Sequence, residues 1–140
     1  IEVGVALASG QTACFLVRPF PDWTHWNPDA EKLHGIARPL LLDRGRPAHE
    51  VANALNRLLG DSVAYSDAWG FDSSWMALLH AACDVPATYK IDTLTRLLSE
   101  PQQAAWAELK DNARIQLRLN RHRASADALV LQTAYLVSLR

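Results

Sequence analysis

The chain has 140 residues, 49% of them hydrophobic and 21% charged, with a formal net charge of −1. This is the make-up of one globular domain, and it excludes a disordered chain and a protein that holds long duplex nucleic acid mainly by phosphate neutralisation. No apolar run reaches the roughly 20 residues that cross a bilayer and nothing resembles a signal peptide, so the sequence predicts a cytoplasmic protein with no membrane partner.

Residues 1–7, I-E-V-G-V-A-L, alternate in the manner of a strand, and residues 13–17 repeat the pattern after the turn chemistry of Ala8-Ser9-Gly10-Gln11. The pair predicts an antiparallel hairpin. Pro19, Pro21 and Pro28 bracket a loop with Trp23, His25 and Trp26, and Asn27 before Pro28 is a helix N-cap with proline at the first helical position. A short helix is expected over residues 28–34, ended by Gly35 in the left-handed conformation, with residues 37–46 as a connecting loop.

A second helix is expected from Pro47 to Gly60, with Val51, Leu55, Leu58 and Leu59 on one apolar face. A strand follows at 62–66, then a helix on which Trp75, Leu78 and Leu79 face the core, then a strand at 87–91 with Asp92 capping the next helix. From residue 100 a further helix carries Trp106, Leu109, Ala113 and Leu117 on one face as far as Leu119, and residues 124–139 form the last one. Strands alternating with helices after an initial hairpin predict an α/β fold, a mixed β-sheet covered by helices, formed by residues 1–140 as a single domain. Cys14 and Cys83 have no ligand spacing and are expected to be reduced core residues.

Two places combine residues that carry chemistry. Asp72 follows a short strand at the start of a helix, where α/β sheets place their sites, and the same position suits a helix-capping aspartate. His122 and Asp127 stand five residues apart, where an arginine-rich segment gives way to an apolar one.

Taken in order, I-E-V-G from Ile1, L-H-G-I from Leu33, F-D at Phe71 and Asp72, I-D-T-L from Ile91 and H-x4-D from His122 to Asp127 resemble the DEDDh (DnaQ-like) 3′–5′ exonucleases, whose fold is ribonuclease H-like. The resemblance runs over nearly the whole chain. It implies a metal-dependent exonuclease that removes nucleotides from single-stranded DNA or RNA 3′ ends with two Mg²⁺ or Mn²⁺ ions. On it, Asp72 and Asp127 match the third and fourth metal-binding carboxylates and His122 the general base. Hard carboxylate oxygens suit such ions, and an imidazole can take a proton from water near neutral pH. The L-H-G-I match makes His34, Gly35 and Ile36 candidates for contact with the terminal nucleotide, although a helix C-cap followed by a core isoleucine accounts for Gly35 and Ile36 equally well.

The family's first motif, D-x-E on the central strand, has no match in the chain, and an additional strand carrying it is expected upstream of Ile1. Without that strand the sheet would be split. Glu2 belongs to the family's second strand and is read as structural. Arg114, Arg118 and Arg121 fall on one predicted helix face, able to hold phosphates or to form a solvated basic face paired with Asp111 or Glu108. Trp23 and Trp26 could stack bases, or pack their loop against the adjacent helix. A non-catalytic binding or assembly module of the same fold is the competing reading.

Overall fold

The structure, a computed structural model, describes residues 1–119 and 123–140. The chain divides into two compact units, Ile1–Gly45 with Pro101–Arg140, and Arg46–Glu100. The described residues form a mixed α/β structure with two two-stranded sheets, one in each unit, where a single mixed sheet was expected.

In the first unit, strands β1 (Glu2–Ala6) and β2 (Thr12–Leu16) pair antiparallel from Glu2↔Leu16 to Ala6↔Thr12. Gly10, at φ 89°, closes the turn. Side chains alternate across a strand, so the buried pair Val3 and Phe15 lies on one face while Glu2 and Gly4 share the other. Helix α1 (Pro28–His34) begins and ends where its caps predict: Asn27 Oδ1 accepts from the Asp29 and Ala30 amides at 2.9 and 3.4 Å, and Gly35 takes the left-handed conformation at φ 70°.

The expected loop at 37–46 is instead helix α2 (Arg38–Arg44). Pro39 lies in its first turn, where an amide has no partner within the helix and its absence costs nothing, and Leu41 is buried. Residues 100–119 hold two helices where one was expected, α5 (Glu100–Ala104) and α6 (Trp106–Leu117), with Ala105 between them. The anticipated α6 face survives: Trp106, Leu109 and Leu117, with Leu119 beyond the helix, pack around Ala113 and around Val130 and Ala134 of α7 (Ala124–Ser138). Helix α7 also packs on β1 and β2. Cys14, opposite Gly4 in the hairpin, is exposed rather than buried in the core.

In the second unit, helix α3 (Ala48–Leu59) buries Val51, Ala52 and Leu55, each worth up to about 1.5–3 kcal/mol for the larger side chains. Strands β3 (Val63–Ser66) and β4 (Lys90–Thr93) pair parallel, Val63 opposite Lys90. The later start of β4 has a local cause. Asn56 Nδ2 donates to Pro86 O at 2.9 Å, the Thr88 amide donates to Asn56 Oδ1 at 3.1 Å, and Thr88 Oγ1 donates to Gly60 O at 2.5 Å, so residues 86–88 are held by α3 before the ladder begins.

Asp92 is not a helix cap. It lies in β4, accepts from the Thr93 amide at 2.7 Å and pairs with Arg96 at 3.3 Å, while Thr93 caps a single 3-10 turn at Leu94–Leu97. Helix α4 (Trp69–Ala82) packs on α3, β3 and β4. Two strands and one helix cover only a narrow stripe, so Leu79 is buried while Trp75 and Leu78 are exposed, contrary to expectation for those two.

The same stripe buries His80. Its Nδ1 lies 2.7 Å from Val85 O and its Nε2 2.8 Å from the Tyr89 hydroxyl. A carbonyl can only accept, so Nδ1 carries the proton and, in the neutral ring, Nε2 accepts from Tyr89. Burial pushes the Tyr89 hydroxyl up to about 12, which keeps it a donor. Tyr89→Phe leaves a buried ring nitrogen without its partner and is expected to lower stability by about 1–3 kcal/mol, measured by urea unfolding.

Candidate functional site

Asp72 sits beyond the carboxyl end of β3, in the first turn of α4. It does not cap that helix: the N-cap is Ala68, and the Asp72 amide already donates to Ala68 O at 3.0 Å. The carboxylate is half-buried and accepts a 2.6 Å hydrogen bond from Ser66 Oγ, which itself accepts from the Ala68 amide at 2.9 Å. Ser66 is buried, so the last side chain of β3 fixes both the turn and the carboxylate. Trp69 Nε1 donates to Ile91 O at 2.9 Å and ties the start of α4 to β4. This places Asp72 where parallel strands end and a helix begins, the usual position of α/β sites.

Asp127 occupies the first turn of α7, half-buried, with its amide donating to Arg123 O at 2.8 Å. A carboxylate here is stabilised by the positive end of the helix dipole. Arg123 is the N-cap, in extended conformation and without a capping side chain of its own. Glu2 supplies the missing acceptor. Its Oε1 accepts from the Ala124 amide at 2.6 Å, and the Arg123 guanidinium donates to Oε2 through Nη2 at 2.7 Å. His122 and Arg121 lie outside the described residues.

The Glu2 side chain keeps 7% of its accessible surface, against 46% for Arg123. Burial by itself would raise its pKa. The hydrogen bonds from Arg123 and the Ala124 amide, with the Arg123 charge, outweigh that and hold the carboxyl below its usual 4.5. Its contribution to stability is therefore fully present above the unfolded-state value and is lost as pH falls through the lowered folded value. Thermal unfolding is expected to show a constant Glu2 contribution from pH 7 down to about 5 and a steep loss below 4. Glu2→Gln should flatten that acid limb.

His34, Gly35 and Ile36 form a helix C-cap and a core residue. The Gly35 amide donates to Glu31 O at 2.8 Å, the Ile36 amide donates to His34 Nδ1 at 2.9 Å, and Ile36 is buried. The tryptophan loop packs against its own neighbourhood: Trp26 Nε1 donates to Glu31 Oε2 at 2.6 Å, and Trp23 meets Phe20 edge-on. Arg38 donates to Trp23 O at 3.0 Å.

The expected arginine face does not continue as one helix. Arg114 pairs with Asp111 at 3.0 Å, and Arg118 ends α6 in the left-handed conformation at φ 53°, so the helical spacing that aligned Arg114, Arg118 and Arg121 stops at Leu117.

Asp72 lies in the second unit, while Asp127, His34, Gly35 and Ile36 lie in the first. Among the described residues no three His, Cys, Asp or Glu side chains form a group able to hold a metal ion. Asp72 and Asp127 each carry oxygen donors of the type that Mg²⁺ and Mn²⁺ prefer. Sequence reasoning missed two positions, Ser66 behind Asp72 and the capping task of Glu2. The second had no local signal, because the groups Glu2 binds lie 121 and 122 positions away in sequence.

Comparison with protein-family models, curated proteins and solved structures found no match. Among the described residues no helix is long and apolar enough to cross a membrane.

Proposed function

We propose that the protein is a cytoplasmic, metal-dependent 3′–5′ exonuclease of the DEDDh type, with a ribonuclease H-like fold, acting on single-stranded DNA or RNA ends. The observation that carries this reading is the state of Asp72: a half-buried carboxylate beyond the end of a parallel strand pair, relieved of helix capping and aimed by Ser66. The ordered motifs that share its chain support it. On this reading Asp72 and Asp127 would serve as metal-binding carboxylates. Two divalent ions, when bound, stabilise the attacking and leaving oxygens of an in-line displacement. His122 takes the proton of the attacking water, as an imidazole does near neutral pH. His34, Gly35 and Ile36 border the terminal nucleotide.

The test is shortening of 5′-labelled single-stranded oligonucleotides by the full-length polypeptide with Mg²⁺ or Mn²⁺. Loss of nucleotides from the 3′ end, abolished by chelation, is the expected result. No metal-dependent shortening, or unchanged activity in His122→Ala, overturns the reading.

A non-catalytic binding or assembly module is the second reading, and one observation favours it. Phe71, Trp75 and Leu78, spaced four and three residues apart on α4, are all exposed, and Trp69, Tyr65 and Val63 are exposed in the same unit. Exposed apolar patches of this kind mark interaction surfaces. Binding of single strands without shortening supports that reading.

A further inference from the structure

We infer that Glu2 is a positioning residue for Asp127 in the first turn of α7, an inference that rests on the exonuclease reading. Its carboxylate binds Arg123 and the Ala124 amide, residues that lie in sequence between the proposed base and the proposed metal ligand. Gly4, on the same face of β1, lets the Ala124–Ser125 backbone approach so closely that any Cβ at that position would overlap it. Cys14, opposite Gly4, engages the side chains of both Glu2 and Ser125. Further along α7, Gln132 Nε2 donates to Leu7 O at 2.7 Å, just beyond the other end of β1.

These contacts fix the height and rotation of α7 at its first turn, which is the turn that carries Asp127. An isolated surface cap needs none of them. A serine at the N-cap would satisfy the amides locally, whereas a glutamate 122 residues away in sequence ties the helix start to a strand. Reacting groups must be held to within a fraction of an ångström, and a displacement of about 1 Å can cost around 100-fold in rate. Within the Glu2 contacts the amide bond sets the position. Arg123, itself 46% exposed, pairs with this nearly buried carboxylate and adds to the hold.

The experiment compares Glu2→Ala and Glu2→Gln with wild type in the full-length polypeptide, measuring kcat and KM on a single-stranded oligonucleotide alongside amide hydrogen exchange of α7. Glu2→Ala is expected to lower kcat about 10- to 100-fold with KM within about twofold. Exchange should rise at Ala124, while Val130 and Ala134 stay protected. Glu2→Gln keeps an oxygen for the Ala124 amide and should recover kcat to within about threefold of wild type. A kcat that falls only in proportion to the folded fraction, a change confined to KM, or equal losses in both variants overturns the positioning role and leaves the exonuclease reading standing. A wild type with no metal-dependent activity overturns both.

Discussion

Gly4→Ala is expected to destabilise the protein by about 3 kcal/mol or more, among the larger effects a single methyl group can have. The added Cβ would overlap backbone atoms of Ala124 and Ser125 rather than the end of a side chain, so no rotamer change can make room. Helix α7 would have to lift from β1. That movement would strip the Ala124 amide from Glu2 and loosen the packing of α7 on both strands. On the usual relation between stability and melting temperature, the loss corresponds to a fall of roughly 10 °C. Intrinsic preferences argue in the opposite direction, because alanine is favoured over glycine in regular structure by about 0.5–1 kcal/mol. Gly70, in the first turn of α4 with open space around its Cβ position, isolates that preference. Gly70→Ala should leave stability unchanged or raise it by up to about 1 kcal/mol, so the two glycines are expected to respond with opposite signs. Urea unfolding of both variants decides the matter, and a Gly4→Ala protein as stable as wild type would mean that the close approach does not constrain the fold.

What could be read in advance depended on how far apart the responsible residues are. Helix α1 was legible at both ends because Asn27, Pro28 and Gly35 each act on backbone within a few residues of themselves. The hairpin was legible for the same reason. Helix α2 lacks such a local mark: its N-cap, Ala37, offers no capping side chain, and Pro39 is tolerated because it falls in the first turn. Trp75 and Leu78 were placed in the core because they are large and apolar; hydrophobicity states the preference of a side chain and not the area its neighbours can cover.

The candidate site divides along the same line. Asp72 was visible as a position but ambiguous between cap and site, and the cap is excluded because Ala68 holds that position. The role of Glu2 needs the packing of a helix on a strand at the far end of the chain, and no local pattern encodes that contact.

On the exonuclease reading, Asp72→Asn is expected to lower activity about 10³-fold while leaving the fold intact. The amide is nearly the same size as the carboxylate and retains an oxygen that can accept from Ser66 Oγ, so the turn at Ala68 keeps its support. What disappears is the negative charge. If that charge holds a divalent ion, its removal withdraws several kcal/mol of transition-state stabilisation, or about 10³-fold in kcat. His122→Ala should cost about 10²- to 10⁴-fold by removing the proton acceptor. Groups that act on the same displacement do not contribute independently, so the double variant is expected to lose little more than the worse of the two singles. That non-additivity distinguishes a catalytic pair from two unrelated surface changes, whose effects would multiply. Retained binding of single strands alongside the loss of shortening would place both residues in the chemistry and not in recognition. Two variants that leave shortening untouched would instead move the activity elsewhere and return Asp72 to the status of a carboxylate that Ser66 happens to hold.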